Sequence, residues 1–412
     1  VSVIIACRDV DRYIDVAVRS IRDQSLSDIE ILLVDDGSTD GSKARMLTHA
    51  AEDKRVTVLD GAGEGPGAAR NRALAAARGD WVAIVDGDDL IHPRRLEILV
   101  DAAERSGADI IADNLLAFQD NPDDGSPYFL LPMPEWKTRR EIDLAFFIRS
   151  NALFGRGAPL GYLKPLIRRD VLTRAGIAYD TSLRIGEDYD LVAKLLAHGA
   201  RYRYFPAAFY FYRRHPASTS FRLRVSDIDA MIAASDGFAT KFPSMSQAAQ
   251  EAARERRASL DRALRFSRLL DDIKARRWTN AVLALISDAG TFSLFAKAAL
   301  DGAKRRLRKL RPQNARVGSG KPRAVLLWQG ARSSADSLSA ELTKRNYEVR
   351  LIPAPRHGAG DPMVISPELA LRLGCEANAQ LLICDNHDLI PELCYALSPG
   401  AALELHQETE LY

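Results

Sequence analysis

WVAIVDGDDLIHP, residues 81–93, begins as a buried strand and turns into acid without a spacer. Its first five residues are apolar, largely β-branched or aromatic, and preceded by the turn-former Gly79, the pattern of a strand covered on both faces. Asp86, Asp88 and Asp89 then fall where that strand must end. Gly87 lets the backbone bend, and Pro93 suits the first turn of the next helix. In an open α/β sheet, ligands bind outside the carboxyl ends of the strands. A hard cation such as Mg²⁺ or Mn²⁺ takes oxygen ligands, and it keeps positions for substrate phosphates when one or two carboxylates hold it. A D-x-D behind a buried strand supplies those oxygens. A solvated acidic turn has the same letters, so the surroundings must choose.

The pattern recurs upstream. VSVIIA (1–6) reads as a strand, and Tyr13, Ile14, Ala17, Val18 and Ile21 follow at helical spacing. EILLV (30–34) is a second strand ending in Asp35 and Asp36, and its loop feeds a helix from about Ser42, for which ordinary capping is the plain alternative. Residues 55–59 form a third strand, and Gly61, Gly63, Gly65, Pro66 and Gly67 lead into a helix over 68–77. A glycine-rich loop at a helix N-terminus presents unpaired N–H groups to a phosphate. Arg70 and Asn71 fall in that helix's first turn, where a cation opposes the dipole, a local cost that points to a ligand. A helix over 94–105 and a strand over 109–112 follow. These βα units predict a doubly wound α/β sheet, without the G-x-G-x-x-G of dinucleotide binders. Its strand ends carry acid at Asp9, Asp35/Asp36 and Asp86/Asp88.

Downstream, residues 121–134 are polar and proline-bearing, an expected lid, and 141–148 read as a helix. Gly155, Gly157 and Gly161 precede Tyr162 and Lys164, the lysine being either a sugar or phosphate contact or a solvated side chain. GEDYDL (186–191) opens a helix through His198, with acids where the dipole favours them. Strands over 201–205 and 208–212 precede Arg213, Arg214 and His215, and a histidine past a strand is a candidate metal ligand.

The 57 basic and 55 acidic residues of the 412-residue chain leave a net charge of +2, which makes no case for nucleic acid. Cys7, Cys375, Cys384 and Cys394 have no C-x-x-C spacing, so neither a disulfide nor zinc is expected, and a cytoplasmic setting is. The sequence has neither an apolar run of membrane-spanning length nor a signal pattern at its start, so a soluble or peripheral protein is expected. It begins and ends beside strands, as a partial chain would. Residues 226–303 read as helical. KRRLRKLR (304–311), preceded by Phe292, Leu294, Phe295 and Leu300, suits either an anionic membrane surface or a solvated basic face. AVLLW, YEVRLIP, AQLLIC and AALELH, with helices between, form a small second α/β unit, with Asp385, His387 and His406 near strand ends. The expected division is 1–220, a helical region 221–311, a linker 312–321, and a small Rossmann-like unit 322–412.

Taken in order, VSVIIA, LLVDDGSTDGS (32–42), GPGAARNRAL (65–74), GDWVAIVDGDDLIHPRRL (79–96), LKPLIRRDVL (163–172), GEDYDL and FYRRHPASTS (211–220) resemble an inverting family 2 glycosyltransferase of the GT-A fold. Within that family the chain is most similar to succinoglycan-type exopolysaccharide enzymes. The resemblance implies a mixed, mainly parallel sheet between helices and a UDP-sugar donor, with UDP-glucose the first choice. It implies a lipid-linked saccharide acceptor on the inner face of the cytoplasmic membrane, and Mg²⁺ or Mn²⁺ as cofactor. It also assigns roles: Asp36 to the uracil, Arg70 to the phosphates, Asp86 with Gly87 to the ribose side, Lys164 to the donor, and Asp88 to the metal with His215 as an extra ligand. Asp188 becomes the general base, with Glu187 an acceptor or structural carboxylate beside it. Ala6, Arg8 and Asp9 stand where the family carries Pro, Tyr and Asn, so Arg8 takes the place of an aromatic contact to the base; a guanidinium also stacks on rings. The rival readings are a nucleotidyltransferase, disfavoured because CRDVDRY after the first strand is not a glycine-rich basic fingerprint, and a sugar-nucleotide binding protein without chemistry.

Overall fold

Alternating buried strands and amphipathic helices build the first half of the chain. In the computed structural model the described residues are 1–120, 128–131, 136, 138, 140–155, 159–216, 223–288, 290–296, 340 and the strands at 323–328, 348–353, 381–384 and 402–405. The order is β1 (Ser2–Cys7), α1 (Ile14–Arg22), β2 (Glu30–Asp35), α2 (Ser42–Glu52), β3 (Val56–Asp60), α3 (Pro66–Ala76), β4 (Trp81–Ile84), β5 (Leu90–Ile91), α4 (Arg95–Ser106) and β6 (Ile110–Gln119). Then come β7 (Tyr128–Phe129), β8 (Arg140–Ile142), α5 (Leu144–Ser150), a 3₁₀ turn at Leu160–Tyr162, β9 (Leu166–Arg168), α6 (Arg169–Ala175), α7 (Glu187–Ala197) and β10 (Tyr202–Arg214).

The sheet runs β3-β2-β1-β4-β9-β6-β10-β5, with β7 beside β6 and β8 beside β10. β1, β2, β3 and β4 pair in parallel, as do β6 and β10, while β9 inserts antiparallel between β4 and β6. This is a mixed, mainly parallel sheet, and its central strands read as continuous apolar runs because both faces are covered. Ile14, Ala17, Val18 and Ile21 of α1 and Leu96, Leu99 and Ala103 of α4 are buried in one core with Ile4, Ile31, Leu33 and Ile84. Each large aliphatic side chain so buried contributes about 1.5–3 kcal/mol.

Several elements differ from the sequence expectation, each for a local reason. The two strands expected over 201–205 and 208–212 are one, Tyr202–Arg214; Pro206 has no N–H for the ladder, and the register against β6 shifts between Phe205 and Tyr210 instead of breaking. β6 continues beyond 112 because Asp113 and Asn114 find partners inside it: Asn114 exchanges hydrogen bonds with the backbone of Leu131 at 2.9 and 3.0 Å. Glu141 and Ile142, expected in a helix, are drawn with Arg140 into β8 against Tyr202–Tyr204, and α5 starts only after Asp143, whose carboxylate accepts from Phe146 N at 2.8 Å. Leu90 and Ile91 pair with β10, so α4 begins at Arg95 and Pro93 lies before its cap. α3 starts at Pro66, which places Arg70 and Asn71 beyond the first turn. The expected lid lies outside the described residues except for 128–131, where Tyr128–Phe129 pair with β6.

α8 (Val225–Lys241) and α9 (Gln247–Lys274) pack on this layer: Ile228, Met231, Leu260 and Ala263 join Leu183 in a smaller apolar cluster, and Ala252 joins the main core. α10 (Trp278–Ser287) buries Ala281 and leaves Trp278, Val282, Leu283 and Ile286 exposed. The expected basic segment 304–311 and Asp385, His387 and His406 lie outside the described residues. β11 (Arg323–Trp328), β12 (Glu348–Pro353), β13 (Leu381–Cys384) and β14 (Ala402–Leu405), at the four expected positions, form a second parallel sheet in the order β12-β11-β13-β14.

Candidate active site

The floor of the site is the acidic loop after β4. Asp86, Asp88 and Asp89 place carboxylate oxygens within 4.8 Å of one another. Three like charges gather because β10 clamps the loop from below. Tyr210 Oη donates to Asp89 Oδ2 at 2.7 Å and accepts from Asp86 N at 3.0 Å, while Arg213 N donates to Asp89 Oδ1 at 2.7 Å and Arg213 Nε to the Asp88 carbonyl at 2.9 Å. Asp89 is fully buried, and burial, then the charges of Asp88 and Asp86, push its carboxyl well above the usual range.

The wall comes from three other elements. Arg70 of α3, 4% exposed, donates to Asp86 Oδ1 at 2.8 Å and to Glu187 Oε1 at 2.7 Å, and lies 3.3 Å from Asp188 Oδ1. Lys164, just before β9, reaches Asp86 Oδ2 at 2.7 Å and Asp188 Oδ2 at 3.0 Å. Glu187 and Asp188 open α7, where the helix dipole favours carboxylates. Burial works to raise Asp86, but Lys164 and Arg70 overcome it and hold the carboxyl down at about 2. Burial, then Asp188, raises Glu187. Burial opposes the charge on Arg70 and on Lys164, and the surrounding carboxylates outweigh it, so both cations are held more firmly charged than usual. Arg70, lying beyond the first turn of α3, is thus free of the expected dipole cost, and its charge is balanced by protein carboxylates. Asp188 Oδ1 is buried and accepts no hydrogen bond among the described residues.

Asp36, at the end of β2, accepts from Glu64 N at 3.1 Å and Gly65 N at 2.9 Å. Two N–H groups of the glycine-rich loop, read from the sequence as phosphate donors, therefore face this carboxylate. The loop lies so close that a Cβ on Gly61 would stand 2.7 Å from the Asp35 carbonyl, and Gly65 adopts φ 99°, which favours glycine. Asp9 braces the neighbouring loop, accepting from Thr39 N at 2.7 Å. Arg8 is exposed beside it, and Ala6 is half-buried at the end of β1. Gly87 has no positive φ, and a Cβ there would make ordinary contacts with Cys7 and Val10.

His215 Nε2 lies 2.9 Å from Asp88 Oδ2, and its ring packs 4.9 Å from that of Tyr13. The donor set fits a divalent ion: Asp86 and Asp89 are committed to Lys164, Arg70, Tyr210 and Arg213, which leaves Asp88, whose Oδ2 lies beside His215 Nε2, as the carboxylate that would hold it. The residues missed in the sequence are those that hold the ligands: Tyr210 and Arg213, and a fully buried pair of Arg95 and Asp113 behind them. Their one sequence signal is polar residues within or beside apolar strand patterns, as in IIADNLL.

The model of the family described as Glycosyl transferase family 2 matches residues 2–165. Succinoglycan biosynthesis protein ExoO of Rhizobium meliloti (strain 1021) is 35% identical over 273 residues, 66% of this chain and 77% of that protein. ExoU of the same strain, also described as a succinoglycan biosynthesis protein, is 39% identical over 180 residues, 42% of this chain and 50% of its own. The crystal structure of S. aureus TarS 1–349 in complex with UDP-GlcNAc aligns with 69% of this chain and 90% of its own at 18% identity and a TM-score of 0.48. Sheet, site and relatives together define a glycosyltransferase of the GT-A fold. The chain belongs to glycosyl transferase family 2.

Proposed function

We propose that the protein transfers a hexose, with inversion, from a UDP-sugar to a hydroxyl of a growing lipid-linked oligosaccharide in surface polysaccharide synthesis. The observation that carries the reading is the meeting of Asp86 and Asp188 on one ammonium, Lys164, at 2.7 and 3.0 Å, although one follows β4 and the other opens α7. A base candidate thereby stands beside the acids at the ligand-binding end of the sheet. In the reaction the acceptor O–H gives its proton to Asp188 while its oxygen bonds to the anomeric carbon. The bond from that carbon to the diphosphate breaks, and its electron pair leaves with UDP. One base on the face opposite the leaving group gives inversion without a covalent intermediate. Asp188 Oδ2 is held by Lys164, while Oδ1 accepts no hydrogen bond among the described residues and is the atom that would take the proton. A Mg²⁺ or Mn²⁺ ion held by Asp88 and His215 would supply charge for the departing diphosphate. Asp36 would receive the uracil and Arg8 stack on it.

The relatives' names support the polysaccharide setting. No single helix among the described residues is long and apolar enough to cross a membrane, and the exposed apolar residues of α10 would serve peripheral contact with the inner membrane face. A panel of nucleotide sugars, assayed for UDP release with and without Mn²⁺ or Mg²⁺, tests the reading. One UDP-sugar should turn over with metal, and Asp188→Asn should lower kcat by about 10²–10⁴ while UDP binding stays within about threefold. Pyrophosphate release from a nucleoside triphosphate and sugar phosphate would favour nucleotidyl transfer. UDP-sugar binding with no turnover in wild type would favour the binding protein.

A further inference from the structure

The resemblance made Lys164 a contact to the donor, but its surroundings assign it elsewhere. The side chain is 8% exposed, and its ammonium sits between Asp86 Oδ2 and Asp188 Oδ2. Of the three hydrogens a lysine can donate, two are thereby spent on protein carboxylates. The bond from Lys164 is the one hydrogen bond Asp188's carboxylate accepts among the described residues. The backbone beneath is fixed as well. The Lys164 carbonyl accepts from Arg95 Nη2; Arg95 is paired with Asp113 Oδ1 at 2.9 and 3.1 Å, and Asp113 Oδ2 accepts from Phe209 N at 2.8 Å. Arg95 and Asp113 are both fully buried, so α4, β6 and β10 all bear on the segment that carries this lysine. Two residues later the chain enters β9, hydrogen-bonded to β4, the strand that ends at Asp86.

We propose that Lys164 is a positioning residue for the transfer step: it orients the base carboxylate of Asp188 and ties it to Asp86 on the donor side. This rests on the reading of Asp188 as the base. Without Lys164, Arg70 alone faces Asp86, Glu187 and Asp188, and the Asp188 side chain loses its anchor. Occupancy at Asp86 and readiness at Asp188 are then no longer held by one group.

The test compares wild type, Lys164→Met and Lys164→Arg, using UDP for binding and the UDP-sugar that wild type turns over for kinetics. Positioning predicts that Lys164→Met lowers kcat by about 30-fold or more, within the range a general base supplies, while donor KM and the Kd for UDP with Mn²⁺ stay within about threefold. Lys164→Arg should recover part of kcat, since it restores charge but not the point geometry. If Lys164→Met does not fold, Lys164→Arg carries the same division: a lowered kcat at constant donor KM supports the proposal. A donor KM or UDP Kd raised about tenfold with kcat nearly unchanged, in either variant, makes Lys164 a donor contact and overturns it, as does a wild-type kcat in Lys164→Met. A wild type that turns over no nucleotide sugar at all overturns the proposed function instead.

Discussion

Replacing Asp113 by asparagine should cost more than any surface change in this chain, because it removes the carboxylate opposite a guanidinium that is 0% exposed. Asp113 Oδ1 takes two bonds from Arg95, and Oδ2 takes the Phe209 N–H where β10 shifts register. An amide has one acceptor oxygen, so either Arg95 or Phe209 then faces an NH₂ group. Arg95 already has one nitrogen, Nη1, buried without a hydrogen-bond partner among the described residues, and its face lies 5.1 Å from the Tyr210 ring, so it has little to fall back on. Breaking a buried pair by removing one partner costs about 3–5 kcal/mol, whereas replacing both by apolar groups of similar volume is often close to neutral. Asp113→Asn should therefore lower the urea midpoint by roughly 1–5 M, taking m as about 1–3 kcal/mol/M. Arg95→Met should cost a similar amount, and Arg95→Met/Asp113→Leu far less than the sum, a coupling of about 3 kcal/mol or more. Urea denaturation followed by tryptophan fluorescence measures each corner of that cycle. The double variant should still be slow in transfer, because the Lys164 carbonyl has lost its donor. Singles that each cost under about 1 kcal/mol, or that simply add, would refute the reasoning.

Asp89→Asn should stabilise the metal-free protein by about 1 kcal/mol, a rise in melting temperature of about 2–4 °C in EDTA, because it removes a carboxyl whose ionisation burial, Asp88 and Asp86 oppose in the folded state, while Tyr210 turns its hydroxyl to accept. Asp86 has the opposite sign. Its folded pKa lies at about 2, below the unfolded value, so its contribution is present above about pH 4 and lost as pH falls towards 2; Asp86→Asn should flatten the urea midpoint against pH in that window. Gly61→Ala sets a methyl 2.7 Å from the Asp35 carbonyl and 2.9 Å from Asp36 Cα, both backbone, so it should cost about 1–3 kcal/mol and weaken UDP binding, read by thermal unfolding and calorimetry.

Much of the site was legible along the chain because its ligands sit at strand ends and helix starts. Apolar runs such as EILLV and WVAI can bury themselves only as covered strands, and each stops at acid where the sheet stops. The i, i+3, i+4 spacing of Ile14, Ala17, Val18 and Ile21 fixed the face that α1 lays on the sheet. Such patterns are local, and burial demands them whatever the partner is. Which acids face one another is a matter of strand order. β9 enters between β4 and β6 in the reverse direction, and that placement puts Lys164 between Asp86 and Asp188. No spacing encodes it, because the meeting depends on three segments far apart in the chain. Tyr210, Arg213 and the Arg95–Asp113 pair were missed for the same reason: a polar residue in an apolar pattern announces a buried partner without naming it. Local composition thus settled the strands and the acids. The crossing of β9 and the register shift in β10 settled which charges compensate which, since a buried charge is stable only where the fold delivers its counter-charge.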